Sequence, residues 1–413
     1  MEINIKDGYK VTEVGVIPDD WEVKKLGDIF EFKNGLNKEK KFFGAGTPIV
    51  NYMDVYKNRG LTEKHLKGRV TVTEQEIKTY EVRENDVFFT RTSETVEEIG
   101  ISSVIIDNVQ NTVFSGFILR ARPKNHDLIN SYKQYCFSSQ IIRSQIISTS
   151  SYTTRALTNG KLLSNIIISI PPLAEQKAIA HALSDVDNLI TAIDQLITKK
   201  RNIKQGTMQE LLTGKKRLPG FSGKWEVKKL GDIAAIRKQK IDSKKVVSQL
   251  FCVELEHIDQ GSGRLLGYTE TTNKSSIKNV FYKNDILFGK LRAYLRKYWF
   301  ASTNGVCSTE IWPFVVVPDI LLPEYLYFCI QTDKFIETAS MAYGTHMPRS
   351  DWNVITNYYI PLPPLPEQKA IAEILTDIDK EIEALEKKRD KYKAIKQGMM
   401  QELLTGKTRI IDN

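Results

Sequence analysis

One stretch of this chain occurs twice. Residues 171–217, PPLAEQKAIAHALSDVDNLITAIDQLITKKRNIKQGTMQELLTGKKR, return at 363–409 as PPLPEQKAIAEILTDIDKEIEALEKKRDKYKAIKQGMMQELLTGKTR, in register and without a gap, at a constant offset of 192 residues. Identity concentrates at the two ends, PPLxEQKAIA and IKQGxMQELLTGK. A unit used twice in one chain implies a duplicated, pseudo-twofold architecture.

Each copy reads as a long amphipathic helix. Apolar residues recur in alternating steps of four and three at Ile179, Leu183, Val186, Ile190, Ile193 and Ile197, and at Ile371, Leu375, Ile378, Ile382 and Leu385. That heptad seam pairs helices side by side, which makes Ile179, Leu183, Val186, Ile190, Ile371, Leu375, Ile378 and Ile382 the candidate partner-helix contacts. Start signals are Pro172 with Glu175 and Pro364 with Glu367, a carboxylate being favourable near a helix N-terminus. Stop signals are Gly214 and Gly406, each followed by lysine. Past Ile197 the seam carries Lys200, Lys204, Arg389 and Lys396. These can meet water, an acidic partner or carboxylates of the opposite helix, and a solvated face is the expectation.

Length and charge bound the rest. At 413 residues the chain holds two or more domains, each half long enough for its own core. A net charge of +9 and a pI near 9.0 favour a polyanionic partner, although a solvated basic surface has the same composition. Cys136, Cys252, Cys307 and Cys329 form no CxxC pair and sit among apolar neighbours, as expected for reduced thiols in or near cores. Residues 1–15 lack a basic-then-apolar leader and no apolar run approaches membrane length, so a soluble, cytoplasmic chain is expected.

A second repeat has a different offset. WEVKKLGDI at 21–29 returns at 225–233, displaced by 204 residues, so the segments between the repeats differ in length by 12 and share little sequence. Both are nevertheless rich in short β-like runs, at 87–89, 103–106 and 117–119 and at 250–253, 286–288 and 312–317. Each then shows one helical pattern, through Tyr132, Tyr135, Cys136, Ile142 and Ile146 or through Tyr325, Phe328, Cys329, Phe335 and Thr338. A polar loop and a strand-like run lead into each PP pair. The fold class is therefore α/β: two homologous α/β domains of about 150 residues, each followed by a long helix.

Connectivity constrains how such parts assemble. If the two seams pair, the helices run antiparallel as a coiled coil and separate one globular head from the other. About 38 residues at ~1.5 Å rise gives a rod of roughly 57 Å, of the order needed to hold two DNA-reading heads about one or two helical turns apart. Diverged heads on a preserved frame imply two different half-sites.

The reading residues are sought among cations and polar loop tips. The strongest cluster, 288–298 (FGKLRAYLRKY), contains Lys290, Arg292, Tyr294, Arg296 and Lys297 and no acid. Lysine and arginine neutralise phosphates, and the arginine fork also reads guanine. The counterpart in the first head is 89–93 with Arg91 and Thr92, followed by an acidic stretch, 94–98, that would repel phosphate unless it turns away. Lys33 and Asn34 and, in the second head, Arg237 and Lys238 follow the LGDI units. The loops before the PP pairs add Thr153, Thr154 and Arg155, and Thr345, His346 and Arg349. Each of these has an ordinary surface role as its alternative.

Taken together, two variable domains alternating with PPLxEQKxIA…MQELLTGK helices, WEVKKLGDI opening each half and FSGKWE joining them resemble the specificity subunit of a type I restriction-modification enzyme, over nearly the whole chain. The resemblance implies a noncatalytic DNA-recognition subunit, with residues 1–170 as N-terminal arm and first target-recognition domain, 171–218 as the first conserved helix, 219–362 as the second target-recognition domain and 363–413 as the second conserved helix. The variable bulk would be 35–170 and 233–362, and the arm would lie close to the last helix. It further implies that each domain reads half of a bipartite double-stranded DNA target while the helices set the unread spacer. Two methyltransferase subunits would dock on the helical frame, bind S-adenosylmethionine and flip an adenine for N6 methylation. Restriction subunits would join for cleavage with ATP and Mg, so this chain itself would need no cofactor.

An enzyme of another kind finds no support in the motifs. Gly406-Lys407-Thr408 ends like a phosphate-binding loop, but the required first glycine is Gln401 and the motif closes a helix instead of opening one. Gly261-Ser262-Gly263 starts like a dinucleotide loop, yet position 266 is leucine. The PP pairs lack the Asn/Asp-Pro-Pro-aromatic pattern of adenine methyltransferases, and the five histidines show no metal-ligand spacing. The alternative class is a noncatalytic coiled-coil scaffold that bridges protein partners and binds nucleic acid nonspecifically.

Overall fold

The computed structural model describes residues 7–152, 154–242, 250–271, 277–341 and 347–410. The chain divides into two compact units, Met1–Ile193 with Lys388–Asn413, and Asp194–Lys387. Both boundaries fall inside long helices, Leu173–Leu211 and Leu365–Leu403, each of 39 residues and so about 58 Å long.

Both units are built on the same antiparallel sheet. In unit 1 the strands stand in the order Phe30–Asn34, Ile118–Pro123, Val87–Thr90, Ser102–Ile105, with Gly60–Leu61 added at the edge. Unit 2 repeats the first four positions as Ala234–Ile236, Ile311–Val316, Ile286–Gly289 and Tyr298–Phe300. The central strands, VFFT and ILFG, are buried on both faces, which explains their unbroken apolar runs. Opening strands Glu22–Lys25 and Glu226–Lys229 pair antiparallel with Ile167–Ile170 and Tyr359–Leu362, so WEVKK and the run before each PP pair form one ribbon.

The single helical pattern expected in each head is two helices. Asn130–Cys136 is followed by Gln140–Thr149, and Pro323–Cys329 by Asp333–Ala339. Ser139 and Thr332 interrupt the pattern because their side chains accept the backbone N–H of Ile142 and Phe335 as N-caps, starting new helices. The break leaves the apolar face continuous, with Tyr132, Cys136, Ile142 and Ile146 all in the unit 1 core.

The helix starts hold a feature that helix-dipole reasoning misreads. Glu175 and Glu367 are buried, 1% and 0% exposed, and each is gripped from two directions. Trp21 Nε1 donates to Glu175 Oε2 at 2.9 Å, while Arg409 closes on both carboxylate oxygens at 2.7 Å. In unit 2, Trp225 Nε1 donates to Glu367 Oε2 at 2.9 Å and Arg217 closes at 2.6 and 2.7 Å. Each clasp joins the start of one repeat to the end of the other. The turns that deliver the arginines pass through Gly214 (φ +71°) and Gly406 (φ +72°), left-handed conformations that favour glycine. A Cβ at Gly406 would also lie 2.4 Å from Pro18. The N-terminal arm meets this turn, with Tyr9 Oη donating to the Gly406 carbonyl at 2.9 Å and Arg409 also binding Asp20 at 2.8 Å.

Beyond each clasp the helix segments run antiparallel. In unit 1, going forward from Glu175 to Asp187 means going back from Arg409 to Lys396, which pairs with Asp187. Unit 2 pairs Lys204 with Asp379 at 2.7 Å, Lys200 with Glu381 and Arg201 with Glu386. Lys200, Lys204 and Lys396 are thus matched by carboxylates on the facing helix, correcting the solvated expectation. The ammonium groups of Lys204 and Lys396 also lie over the rings of Phe328 and Tyr135, each 5.4 Å from the centroid, a cation–π contact that adds to the pairing. Of the seam residues, Ile179, Leu183, Ile371, Leu375 and Ile382 are buried, while Val186, Ile190 and Ile378 are half-buried.

Unit 1 also buries charges that unit 2 does not repeat, Lys133 among them. Lys133 in unit 1 is 2% exposed and, among the described residues, its ammonium donates only to the Asn85 carbonyl, at 3.3 Å, where unit 2 places buried Leu326. Burial pushes its pKa down from 10.5 to about 8. The fold therefore resists the charged form, a penalty fully present below pH 8 and relieved as pH rises toward 10.5. Lys133→Leu is expected to raise the midpoint of denaturant unfolding at pH 7, with a gain over wild type that shrinks between pH 8 and 10.5.

Candidate nucleic-acid interface

In both units the strand that follows a buried aspartate, Asp86 or Asp285, runs out into a short hydrogen-bonded ladder at the edge of the head. In unit 1, Arg91 N–H donates to Phe117 O at 3.0 Å and Thr158 N–H to Arg91 O at 3.0 Å, while Thr92 pairs with Leu157. In unit 2, Lys290 N–H donates to Glu310 O at 2.9 Å, Ser350 N–H to Lys290 O at 2.9 Å, and Leu291 bridges Arg349. One backbone scaffold thus displays Phe117, Arg91, Thr92 and Leu157 in unit 1 and Glu310, Lys290, Leu291 and Arg349 in unit 2.

The unit 2 cations divide by what holds them. Lys290 is half-buried beside the Trp312 ring at 6.0 Å and makes no ion pair among the described residues. Arg292, with φ +53°, is exposed, and Tyr294 on the following turn is 54% exposed. Arg296, by contrast, binds Asp333 and the Gln331 carbonyl, and Lys297 donates to the Leu255 carbonyl at 2.6 Å. Arg349 is held by Glu310 at 2.9 Å.

Arg237 is a structural cation. It grips buried Asp285 at 2.7 and 2.8 Å over the Tyr282 ring, and that hydrogen-bonded pair raises its pKa further. Unit 1 meets the same need differently: Asp86 is held by Arg122 at 2.7 Å. The strand turn needs the carboxylate in both units, since Asp285 and Asp86 also accept the Tyr282 and Arg83 backbone N–H at 2.8 Å. Lys238, next in sequence, is exposed.

In unit 1, Lys33, Asn34 and Arg91 line one concavity of ≈ 530 Å³ together with Lys124, Asn159 and Lys161. Four cations there face one carboxylate, Glu31. Lys33 donates to the Thr79 carbonyl at 2.6 Å, and Arg91 reaches the Gly116 carbonyl at 3.4 Å. Thr92 is half-buried, whereas Asn34, Thr154 and Arg155 are exposed. In the acidic stretch that follows Ser93, Glu98 accepts Tyr56 Oη at 2.6 Å, while Glu94 and Glu97 are exposed. Thr153, Thr345 and His346 lie outside the described residues.

Phe117 and Glu310 were not among the residues singled out from sequence. Their signal was available in the matched Asp-apolar runs at 86–89 and 285–288, but the segments that pair with them diverge too far to align by eye. Among the described residues no group of side chains could hold a metal ion, and no helix is long and apolar enough to cross a membrane.

Comparison with known proteins accounts for this duplicated construction. A family model described as the type I restriction modification DNA specificity domain matches residues 18–204 and 222–394, each span taking in one WEVKK unit and most of one long helix. The specificity subunit of the type I restriction enzyme MjaVIII of Methanocaldococcus jannaschii is 26% identical over 433 residues, covering 99% of this chain and 98% of that protein. The EcoDI specificity subunit of Escherichia coli is 26% identical over 195 residues, 46% of this chain and 42% of its own length. Among solved structures, the S subunit of a type I restriction-modification system from M. genitalium shares the fold at 13% identity, with a TM-score of 0.55 over 97% of this chain and 98% of that one. A structure described for complex assembly and conformational transition of the type I R-M system gives 0.58 at 16% identity, over 95% of this chain and 99% of its own. With both halves matched, this chain belongs to the type I restriction modification DNA specificity family.

Proposed function

We propose that this chain is the DNA-recognition subunit of a type I restriction-modification complex, each unit reading one half of a bipartite duplex target. The observation that carries the reading is the pair of edge ladders, which share their first backbone hydrogen bonds and differ in side chain. A cation stands at the first rung of each, Arg91 or Lys290, where it can take a phosphate. Everything around it differs, as two unlike half-sites require. The frame that repeats is spent on clasps and helix pairing, which suits a fixed spacer better than a reading surface. Methyltransferase subunits, bringing S-adenosylmethionine, and restriction subunits, using ATP and Mg, are the partners this role calls for. The chain would contribute sequence choice and no chemistry.

Footprinting of the chain assembled with its methyltransferase subunits tests this. Two protected patches separated by an unread gap are expected. Removing one heptad from each long helix is expected to shift the preferred gap while leaving both half-sites unchanged. Uniform, salt-abolished protection would indicate a scaffold with nonspecific affinity.

A further inference from the structure

Phe117 is 63% exposed, yet nothing about its backbone is loose. Its N–H donates to Ser115 Oγ at 3.3 Å and its carbonyl accepts Arg91 N–H at 3.0 Å. On either side, Gly116 N–H donates to Leu36 O at 2.8 Å and Ile118 N–H to Ser115 O at 3.1 Å. A phenyl ring left in water on so stiff a turn is already ordered for a contact, so little further entropy is lost when one forms.

Its neighbours along the ladder share the character. Leu157 (41% exposed) pairs with Thr92 and with Ser151, next to Tyr152 at 57%. Arg91 and Arg155 interleave with these apolar groups, and the described rungs at 91–93, 115–118, 151–152 and 154–158 contain no carboxylate, exposed Glu94 following the first of them. Aromatic faces alternating with arginines match a polymer in which stacked bases alternate with phosphates.

Resting on the recognition role above, we infer that Phe117 is a wedge entering a base step of the half-site read by unit 1, with Arg91 and Arg155 on flanking phosphates. The equivalent rung of unit 2 is Glu310, whose carboxylate is engaged by Arg349. Wedging by a side chain of this chain therefore belongs to one half-site only.

The test uses the chain assembled with its methyltransferase subunits, on the mapped target carrying 2-aminopurine at successive purine positions. Apart from the adenine that the methyltransferase flips, fluorescence is expected to rise at one step of the unit 1 half-site and at no step of the other. Phe117→Ala is expected to abolish that rise and weaken binding about 10- to 100-fold, with unchanged thermal unfolding, while Phe117→Trp restores both. Unchanged affinity and fluorescence in Phe117→Ala on a bipartite target would overturn the wedge alone. Impaired assembly with the methyltransferase, at unchanged DNA affinity of the assembled complex, would overturn it in favour of a protein contact. A target that is not bipartite would instead remove the recognition role, and the wedge with it.

Discussion

Arg409→Ala is expected to destabilise unit 1 by about 3–5 kcal/mol, the range found when one partner of a buried ion pair is removed. The loss arises because Glu175, 2% exposed at its side chain, would keep the Trp21 indole but lose both guanidinium bonds. For a unit of this size the unfolding midpoint should fall by roughly 10 °C. Arg217→Ala should do the same to unit 2 through Glu367, whose side chain is 1% exposed. Hydrogen exchange read segment by segment separates the two: Arg409→Ala should deprotect 15–30 and 167–180, and Arg217→Ala 225–236 and 359–372. A double-mutant cycle with Glu175→Gln should show strong coupling, since the second change removes the charge the first one strands. Additive effects, or deprotection confined to the mutated turn, would show that the clasp is ornamental. The consequence for organisation is that Arg409, at the end of the second repeat, completes unit 1.

The second large effect concerns affinity. Replacing Lys290 and Arg292 with alanine removes two cations that no carboxylate holds among the described residues. If each neutralises one phosphate, the slope of log K against log salt should fall by about 2 and affinity by roughly 50-fold near 0.1 M salt. Filter binding or fluorescence anisotropy of the assembled complex across a salt series reads both numbers. Arg237→Ala provides the contrast: it should leave buried Asp285 unpaired and lower stability while leaving the salt slope alone. An unchanged slope in the double variant would take this loop off the duplex.

Much of the architecture was legible because duplication is a strong signal. Offsets of 192 and 204 residues mark the helices and the opening strands without any appeal to propensity, and the glycine stops fell where the helices end. Polar residues inside the repeats were harder to read. Glu175 resembles a favourable first-turn carboxylate, and only its partners, Trp21 and Arg409, far away in sequence, reveal that it is buried. The tell was that Glu and Arg recur at the offset of 192 and Trp at that of 204, so all three belong to repeated units. Lys204 and Lys396 look solvated because a heptad pattern cannot say what lies across from a cation in an antiparallel pair, nor that an aromatic from the head will cover it. The Ser139 and Thr332 caps were hidden by an apolar face that continues through the break.

The candidate site was legible as a region more than as residues. Sequence marks cations near 290 and 91 but does not show which are already bonded. Arg296, Arg237 and Arg349 look as available as Arg292 until their carboxylate partners are located. An apolar residue such as Phe117 carries no charge signal at all, and only its exposure on a rigid edge distinguishes it from core.

Single-molecule sequencing of methylated adenines in DNA from cells carrying this chain and its methyltransferase partner bears most directly on the whole account. Two unlike half-sites with an unread gap of constant length, altered at only one half-site when residues 35–170 are exchanged for those of a relative, is the expected result. A continuous target, or methylation independent of this chain, would contradict it.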